Sequence, residues 1–200
     1  MPTPEQLSRN ALLVKFFAQA YPRIPRTNLV KYIYLADVHA WEYLGHPIST
    51  LNFRRDHHGP YDPAIEDAVE ELIASGHADE KREGWFSWRG GGEYVLLIDH
   101  GRPVAFDFTR GEAAVLDYVV RVYLSMNFKE LLRDVVYQTP PMKADVPRKR
   151  PLPMERLANT GTKRVGFRLD DVLKGEDECG RGELISLSAF ADELRAKAPA

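Results

Sequence analysis

The chain has 200 residues, of which 44% are hydrophobic and 28% charged, and its net charge is −2. This composition is typical of a soluble globular protein with one domain and a tail or two small domains, and it gives no overall attraction to nucleic acid or membranes. The single cysteine, Cys179, excludes an internal disulfide framework and fits a reducing compartment. The sequence shows no signal-peptide pattern and no run of eighteen apolar residues, so we expect a cytoplasmic protein without membrane contact.

Two N-terminal helices are predicted, and the second organises the fold. Thr3 and Gln6 form a capping box that starts the first helix, and the Tyr21-Pro22 step ends it. After a short proline-rich link, Thr27 is a natural N-cap of the second helix, and Gly45 suits the left-handed residue after its end. Apolar side chains cover most of the circumference of this second helix, which indicates that it is buried on most sides.

A polar loop follows the central helix. A short, irregular strand is predicted over residues 47–55, and the loop reads RRDHHGPYDP, with a turn signal at Gly59-Pro60. Asp62 is placed to cap a third helix that closes at Gly76. Three strand patterns come next, HADEK, WFSW and EYVLLID, and the tight RGGG turn joins the last two into a β-hairpin.

Two more helices complete the first compact unit, residues 1–142. Thr109 and Glu112 form a second capping box that starts the fourth helix. A fifth helix begins near Asn127 and stops at Thr139-Pro140-Pro141. The predicted fold is therefore α+β and mainly α-helical. It has about five helices around a central buried helix and a small antiparallel sheet or hairpin, in a winged-helix-like order.

The charge pattern changes after this unit. Residues 143–168 contain eight basic and two acidic residues, a local charge of +6, and residues 169–200 contain eight acidic and four basic residues, a local charge of −4. We expect residues 143–200 to form a charged extension, a strap or a flexible segment rather than a second core. Residues 188–196 have the pattern of a short terminal helix.

The central helix and the loop carry the marks of a known family. These marks are the motif Lys31-x-x-Tyr34-Leu35-Ala36-Asp37, the following Gly45-His46-Pro47-Ile48 step, and Gly59-Pro60 before the third helix. With this spacing, residues 5–140 resemble the Panacea domain, the antitoxin domain of SocA-like antitoxins and of many phage- and mobile-element-associated proteins. Members often carry a histidine in the last helix, whereas residues 135–140 read VVYQTP here, without histidine or tryptophan.

The resemblance implies a function. Domains of this family act as antitoxins that bind and neutralise a toxin, usually one encoded next door, and one branch delivers the toxin to an ATP-dependent protease. Neither mode needs chemistry at the antitoxin. We therefore expect a cognate toxin as the partner, with an ATP-dependent protease as a second partner if the chain is an adaptor.

Polar residues of the central helix and the loop form the first candidate site. Asp37 needs a partner if it is buried in so apolar a helix, and Arg54 or Arg55 could supply a bidentate one. We favour a structural ion pair over a contact to a partner protein, although a pair at the rim of a groove fits both roles. His39 lies two residues further on and faces another way.

No metal, cofactor or enzymatic activity is predicted. Asp56, His57 and His58, with Asp62 nearby, have metal-binding side chains, but adjacent residues of an extended segment rarely bind one ion together. No nucleophile or phosphate-loop motif is present. Cys179 lies among acidic residues that disfavour its thiolate. The polar loop is predicted to cap the third helix instead.

A DNA-binding role is the main alternative, because helices followed by a hairpin are typical of winged-helix proteins. The third helix with its cap carries five acidic and no basic residues, so it would be repelled by phosphates. We expect no nucleic-acid contact through the main domain. The basic residues 143–168 could touch nucleic acid or grip an acidic partner.

Aromatic residues of the hairpin complete the predicted partner surface. Trp85, Phe86 and Trp88 alternate along one short strand, so they cannot all face the core of a small hairpin. Aromatic side chains are enriched among the residues that dominate binding energy. The predicted partner-binding residues are Asp37, His39, Arg54, Arg55, His58, Tyr61, Trp85 and Trp88.

Overall fold

The structure, a computed structural model, describes residues 7–87, 90–158 and 160, and for residues 85–87 and 90–92 it describes the backbone alone. Its fold is α+β and mainly helical, which confirms the predicted class. The helices are α1 (Arg9–Ala20), α2 (Arg26–Leu44), α3 (Ala64–Ala74), α4 (Arg110–Tyr123), α5 (Phe128–Glu130) and α6 (Pro140–Lys143). The strands are β1 (Arg23–Pro25), β2 (Arg54–Asp56), β3 (Gly59–Tyr61), β4 (Ala78–Ser87) and β5 (Gly90–Asp99).

The central helix of the prediction is α2. Thirteen of its nineteen residues are buried, so its apolar circumference is in contact with protein on most sides. Gly45 ends it in the left-handed conformation (φ +74°), as predicted. The predicted N-cap, Thr27, is wrong: the helix starts after Pro25, and the Thr27 hydroxyl lies 3.5 Å from the side chain of Asn28. Pro25 occupies the N-cap position with an extended backbone (φ −63°, ψ 133°) and makes no side-chain capping bond.

The start of α1 also differs from the prediction. Ser8 has an extended backbone (ψ 160°) and its hydroxyl accepts a hydrogen bond from the Ala11 amide at 3.2 Å, so Ser8 is the N-cap. A helix that begins at Thr3 would need helical Leu7 and Ser8, and neither residue is helical. The capping box of Thr3 and Gln6 lies outside the described residues.

The main sheet has the strand order β1-β5-β4 and is antiparallel throughout. The predicted hairpin is confirmed, but residues 78–81 of HADEK and 85–87 of WFSW belong to one continuous strand, β4. The predicted RGGG turn is wrong for its three glycines, residues 90–92, because they pair with residues 85–87 as the start of β5. The proline-rich link contains β1, which the sequence analysis missed, and β1 pairs with β5 only from Leu96 to Ile98. The distal half of the hairpin is therefore a two-stranded arm beyond the third strand.

The second half of the domain closes the core over α2. The predicted capping box of α4 is present, because the Thr109 amide donates to the Glu112 carboxylate (2.7 Å) and the Glu112 amide to the Thr109 hydroxyl (3.3 Å). The predicted fifth helix is irregular: α5 continues as a π-helical turn, Leu131–Val135, and a 3₁₀ turn, Val136–Gln138. Thr139 is extended and ends it, as predicted.

A buried ion pair joins α1 to the end of β5. The Lys15 ammonium contacts the Asp99 carboxylate, and the two side chains are 0% and 2% exposed. The second Asp99 oxygen accepts a hydrogen bond from the Gly101 amide at 2.8 Å. Because a buried charge without a partner is costly, each member of this pair depends on the other.

Residues beyond the predicted boundary at 142 pack on the same body. Leu152, Met154 and Leu157 belong to the hydrophobic core cluster, and a 3₁₀ turn, Met154–Leu157, carries two of them. The first part of the basic extension is thus packed on the domain and is not a free segment. We call its residues 149–152 the strap. The division of the chain at residue 142 itself stays a prediction, since residues 161–200 lie outside the described part.

Candidate functional site

The polar loop after α2 is a small β-hairpin. β2 and β3 are antiparallel, with Arg54 opposite Tyr61 and Asp56 opposite Gly59. The predicted strand over residues 47–55 is wrong, because β2 occupies only its last two residues and Asp56. Gly59-Pro60, predicted as a turn, begins β3 instead, and His57 and His58 form the turn. Gly59 has φ +95°, so a glycine is needed where the chain leaves this turn.

The strap pairs with the other edge of this hairpin. The Arg55 amide donates to the Arg150 carbonyl (3.1 Å), and the Lys149 amide donates to the Arg55 carbonyl (2.7 Å). One step further, the Leu152 amide donates to the Phe53 carbonyl at 2.8 Å. β2 is therefore enclosed by β3 on one side and by residues 149–152 on the other.

Lys31 of α2 binds the backbone of the β2–β3 hairpin. Its ammonium donates to the carbonyl of Pro60 at 2.8 Å, and the residue is 4% exposed. Burial lowers the pKa of Lys31 to about 8, although the charge of Asp56 acts in the opposite direction. At neutral pH, Lys31 is thus a buried cation, and it holds β3 on the central helix.

Replacement of Lys31 by methionine should raise the stability of the domain at pH 7 by about 1–2 kcal/mol. A pKa lowered from 10.5 to about 8 corresponds to a cost of about 3 kcal/mol for the buried charge, and the lost bond to Pro60 offsets roughly 1–2 kcal/mol of the gain. Between pH 8 and 10.5 the unfolded chain binds more protons than the folded one, so wild-type stability rises by about 3 kcal/mol over this range. The difference therefore disappears and then reverses, which leaves the variant about 1–2 kcal/mol less stable at pH 10.5. Urea titrations from pH 7 to 10.5 measure this, and a variant that is less stable than wild type at every pH would contradict it.

Asp37 holds the chain immediately after α2. One carboxylate oxygen accepts the amides of Ile48 (2.8 Å) and Ser49 (2.9 Å), and the other accepts the Ser49 hydroxyl. Burial raises the pKa of Asp37 to about 6 against the opposing effect of these hydrogen bonds. The residue is 1% exposed.

The predicted ion pair of Asp37 with Arg54 or Arg55 is wrong. Arg54 is exposed, and the Arg55 guanidinium donates to the carbonyls of Met142 and Ala144. The loop amides meet the hydrogen-bonding requirement of the buried carboxylate, so no cation is needed at that place. Arg55 instead ties β2 to the end of α6.

Lys31, Tyr34 and Asp37 are three polar residues of α2 that each bind a distant segment, and we call them the anchors. The sequence analysis did not single out Tyr34 as a site residue. Its hydroxyl lies 2.7 Å from the Thr139 hydroxyl, which itself donates to the Val136 carbonyl, so Tyr34 donates to Thr139. Burial raises the pKa of Tyr34. The regular spacing of Lys31, Tyr34 and Asp37 was a signal for this role, because each fixes a different distant segment on one helix.

The three anchors and the segments that they hold fall within one family match. The family model of the SocA-like antitoxin Panacea domain matches residues 29–140, more than half of the 200-residue chain. The chain belongs to the SocA-like antitoxin Panacea family. No curated protein and no solved structure matches the sequence. In this Panacea domain the anchors lie inside the matched region, whereas the strap at residues 149–152 lies beyond it.

His39 of the Panacea domain belongs to a different place. Its Nδ1 lies 3.1 Å from a carboxylate oxygen of Glu42, and its Nε2 lies 3.0 Å from the hydroxyl of Tyr123. The ring stacks on that of Tyr123, with centroids 5.8 Å apart. A carboxylate can only accept, so Nδ1 donates to Glu42. His39 thus packs against α4 rather than the hairpin, which confirms that it and Asp37 face different ways.

The exposed side chains of the Panacea hairpin are those that a partner can reach. Arg54, His57 and His58 are exposed, and Tyr61 is half-buried with its hydroxyl donating to Glu66 at 3.1 Å. Trp88 and the side chain of Trp85 lie outside the described part of the structure. A role of any of these residues in partner binding stays a prediction.

In the described part of the Panacea chain, no group of three or more His, Cys, Asp or Glu side chains is arranged to hold a metal ion. Asp56 of the suspected loop cluster pairs with Arg148 at 3.2 Å instead. Asp62 caps α3 as predicted, accepting the Ala64 amide at 3.0 Å. None of the helices described is long and apolar enough to cross a bilayer.

Proposed function

We propose that this chain is an antitoxin that neutralises a cognate toxin by direct protein–protein binding. The observation that carries the proposal is the Panacea family match over residues 29–140, which contains all but the first three residues of the central helix, both hairpins and α4. Steric masking of a toxin requires a stable surface of fixed shape and no reacting group.

The β2–β3 hairpin has the properties of such a surface. The exposed turn, His57-His58, is carried by a hairpin whose backbone is fixed by two sets of hydrogen bonds. Lys31 bonds the Pro60 carbonyl of β3, and residues 149–152 bond the backbone beside β2. A surface that is ordered before binding loses less conformational entropy in the complex, which favours affinity. We therefore place the toxin contact at residues 54–61.

The arm formed by β4 and β5 is the second proposed contact. Its distal pairs, from Arg82 opposite Val95 onward, lie beyond the last pair that β1 makes with β5. A two-stranded ribbon is marginally stable alone, and the sequence of this one places Trp85 and Trp88 close to its turn. Binding of the arm to a toxin would supply the apolar contact that a ribbon lacks.

Co-expression with the neighbouring reading frame tests the function. We expect that frame alone to arrest growth, this chain to relieve the arrest, and the two proteins to co-purify. Relief without co-purification, together with a toxin half-life that depends on an ATP-dependent protease, would instead show a proteolytic adaptor. Absence of arrest would contradict the antitoxin assignment.

The double variant Arg54→Ala/His58→Ala should weaken toxin binding at least tenfold without changing the melting temperature. Both side chains are exposed on the hairpin, so the loss reports lost contacts, and truncation of an important interface residue costs about 1–2 kcal/mol or more. Arg55 is unsuited to this test because its guanidinium bonds the carbonyls of Met142 and Ala144. Titration calorimetry with the purified toxin measures the effect.

Arg110→Ala/His46→Ala is the matched control. It also removes one exposed arginine and one exposed histidine, and both residues lie outside the β2–β3 hairpin and the β4–β5 arm. Equal loss of affinity in both double variants would show a general charge effect. Wild-type affinity in the hairpin variant would remove residues 54–61 from the interface.

A further inference from the structure

Four basic side chains form one exposed row where the strap crosses the hairpin. We call this row the basic ridge, and its members are Arg54, Arg148, Lys149 and Arg150. All four are exposed. The backbone hydrogen bonds of Arg55 to residues 149 and 150, and the bridge between Arg54 and Pro151, fix their spacing. These contacts fix the backbone positions from which the four side chains of the ridge project.

Most of the charge on the basic ridge is uncompensated. Arg148 pairs with Asp56 at 3.2 Å, but in the described part of the chain no carboxylate forms an ion pair with Arg54, Lys149 or Arg150. Like charges on neighbouring residues repel each other. The exposed cationic groups of Arg54, Lys149 and Arg150 are therefore available to a negatively charged ligand.

Backbone strain marks the same place. Lys149 has φ +65°, and among the described residues it is the one non-glycine residue in the left-handed region. A long side chain in that region is unfavourable and is retained only where the surroundings hold it. Here the Lys149 amide bonds the Arg55 carbonyl, and the strained residue displays its ammonium on the surface.

We propose that the basic ridge binds an acidic segment of the partner protein. This inference rests on the proposed antitoxin function and adds the chemistry of the toxin surface that the hairpin meets: a run of carboxylates facing Arg54, Lys149 and Arg150. Arginine and lysine at fixed spacing select carboxylates by charge and, for arginine, by paired hydrogen bonds. Steering by such a field also speeds association.

The surroundings favour an acidic protein segment over a nucleic acid. Asp62 follows Tyr61, the residue paired with Arg54, and Asp56 lies beside Arg148. A nucleic-acid backbone carries a charge every few ångströms and would run from the ridge onto these carboxylates. A short acidic segment can end before them, and their repulsion then sets its register.

Fluorescence anisotropy with a labelled ten-residue polyglutamate peptide tests the ridge on the full chain. We expect wild type to bind at low ionic strength and the variant Arg54→Glu/Lys149→Glu/Arg150→Glu to bind at least tenfold more weakly. The variant Arg110→Glu/Arg121→Glu/Lys129→Glu, with the same charge change on exposed residues outside both proposed contacts, should stay within threefold of wild type. No wild-type binding, equal losses in both variants, or tighter binding of a 20-base-pair DNA duplex would overturn the proposal.

Lys149→Gly is a second variant of the ridge that should fold even if the triple variant does not. Glycine accepts the left-handed conformation without strain, so the melting temperature should equal or exceed that of wild type while peptide affinity falls at least threefold. Unchanged affinity in this well-folded variant would remove the strained residue from the ridge.

The growth assay separates failure of this inference from failure of the proposed function. If both wild type and the ridge variant relieve arrest and co-purify with the toxin equally well, the ridge proposal is wrong and the antitoxin function stands. If wild type itself gives no relief, the antitoxin function is wrong and the ridge loses its proposed partner.

Discussion

Asp37→Ala should lower the free energy of unfolding by about 3–4 kcal/mol at pH 7. The substitution leaves the amides of Ile48 and Ser49 and the Ser49 hydroxyl without their acceptor, in a place where Ser49 is 4% exposed. An unsatisfied buried donor costs about 1–3 kcal/mol, and removal of a buried carboxylate returns part of this sum. The loss is a large share of the 5–15 kcal/mol by which a domain is stable.

The deficit of Asp37→Ala should widen by about 1 kcal/mol between pH 7 and pH 5. With a pKa of about 6 in the folded state and 3.8 in the unfolded state, Asp37 takes up its proton first in the folded protein. Wild-type stability from this group therefore rises as the pH falls through 6, and the alanine variant lacks the gain. Urea denaturation at both pH values measures the two effects.

Asp67→Ala provides the comparison for Asp37. Asp67 is exposed on α3, and exposed substitutions usually change stability by less than about 0.5 kcal/mol. A similar small effect at Asp37 would show that the loop over residues 48–49 does not depend on its carboxylate.

Asp99→Ala should destabilise the protein by about 3–5 kcal/mol. The substitution strands the Lys15 ammonium, whose side chain is 0% exposed, with no counter-ion in contact. Breaking a buried pair by removing one partner costs this much because the remaining charge stays desolvated. Denaturant titration, with the melting temperature as a second measure, gives the result.

A second exposed pair and a double variant sharpen the test of Asp99. The Arg82–Glu93 pair lies on β4 and β5 at 3.6 Å with side chains 72% and 55% exposed, so Glu93→Ala should cost less than about 0.5 kcal/mol. Lys15→Met/Asp99→Leu should recover most of the loss, because an apolar pair of similar volume needs no counter-ion. Failure of the double variant to recover stability would assign the loss to the Asp99–Gly101 hydrogen bond instead.

Local signals in the sequence predicted the parts of the fold that depend on few neighbours. The Thr109 capping box, the Gly45 helix end and the Asp62 cap each need one or two backbone contacts within a few residues, and all three are present. The burial of α2 follows from its apolar circumference alone. Such features can be read from composition and spacing because they require no knowledge of the tertiary fold.

Features set by distant pairing could not be predicted in the same way. β1 is a strand only because it lies beside β5, and nothing in its three residues requires that. The sequence analysis correctly inferred that Asp37 needs a partner, but either an arginine or two loop amides can meet the hydrogen-bonding requirement of a buried carboxylate. Which of these groups lies next to Asp37 depends on where the tertiary fold places the loop.

The sequence analysis selected residues 54–61 as the candidate site but did not predict the contacts that hold this segment in place. Residues 54–61 were chosen for their polarity, and the structure shows them as a hairpin held by Lys31 and by the strap. Both supports are far along the chain from the hairpin. Lys31 is 29 positions from Pro60, and the strap lies almost 100 positions from β2.

Because the strap is close to the C-terminal end of the described chain, it is synthesised well after the hairpin that it contacts. Leu152 completes the edge of the hairpin by bonding Phe53, which leaves the ribosome 99 residues earlier (152 − 53). At about 5–20 residues per second, translation takes roughly 5–20 s to cover that distance. During this interval the nascent chain has the β2–β3 turn but lacks residues 149–152 beside β2 and three members of the basic ridge. A message cut short before codon 148 would yield a fragment that never acquires them.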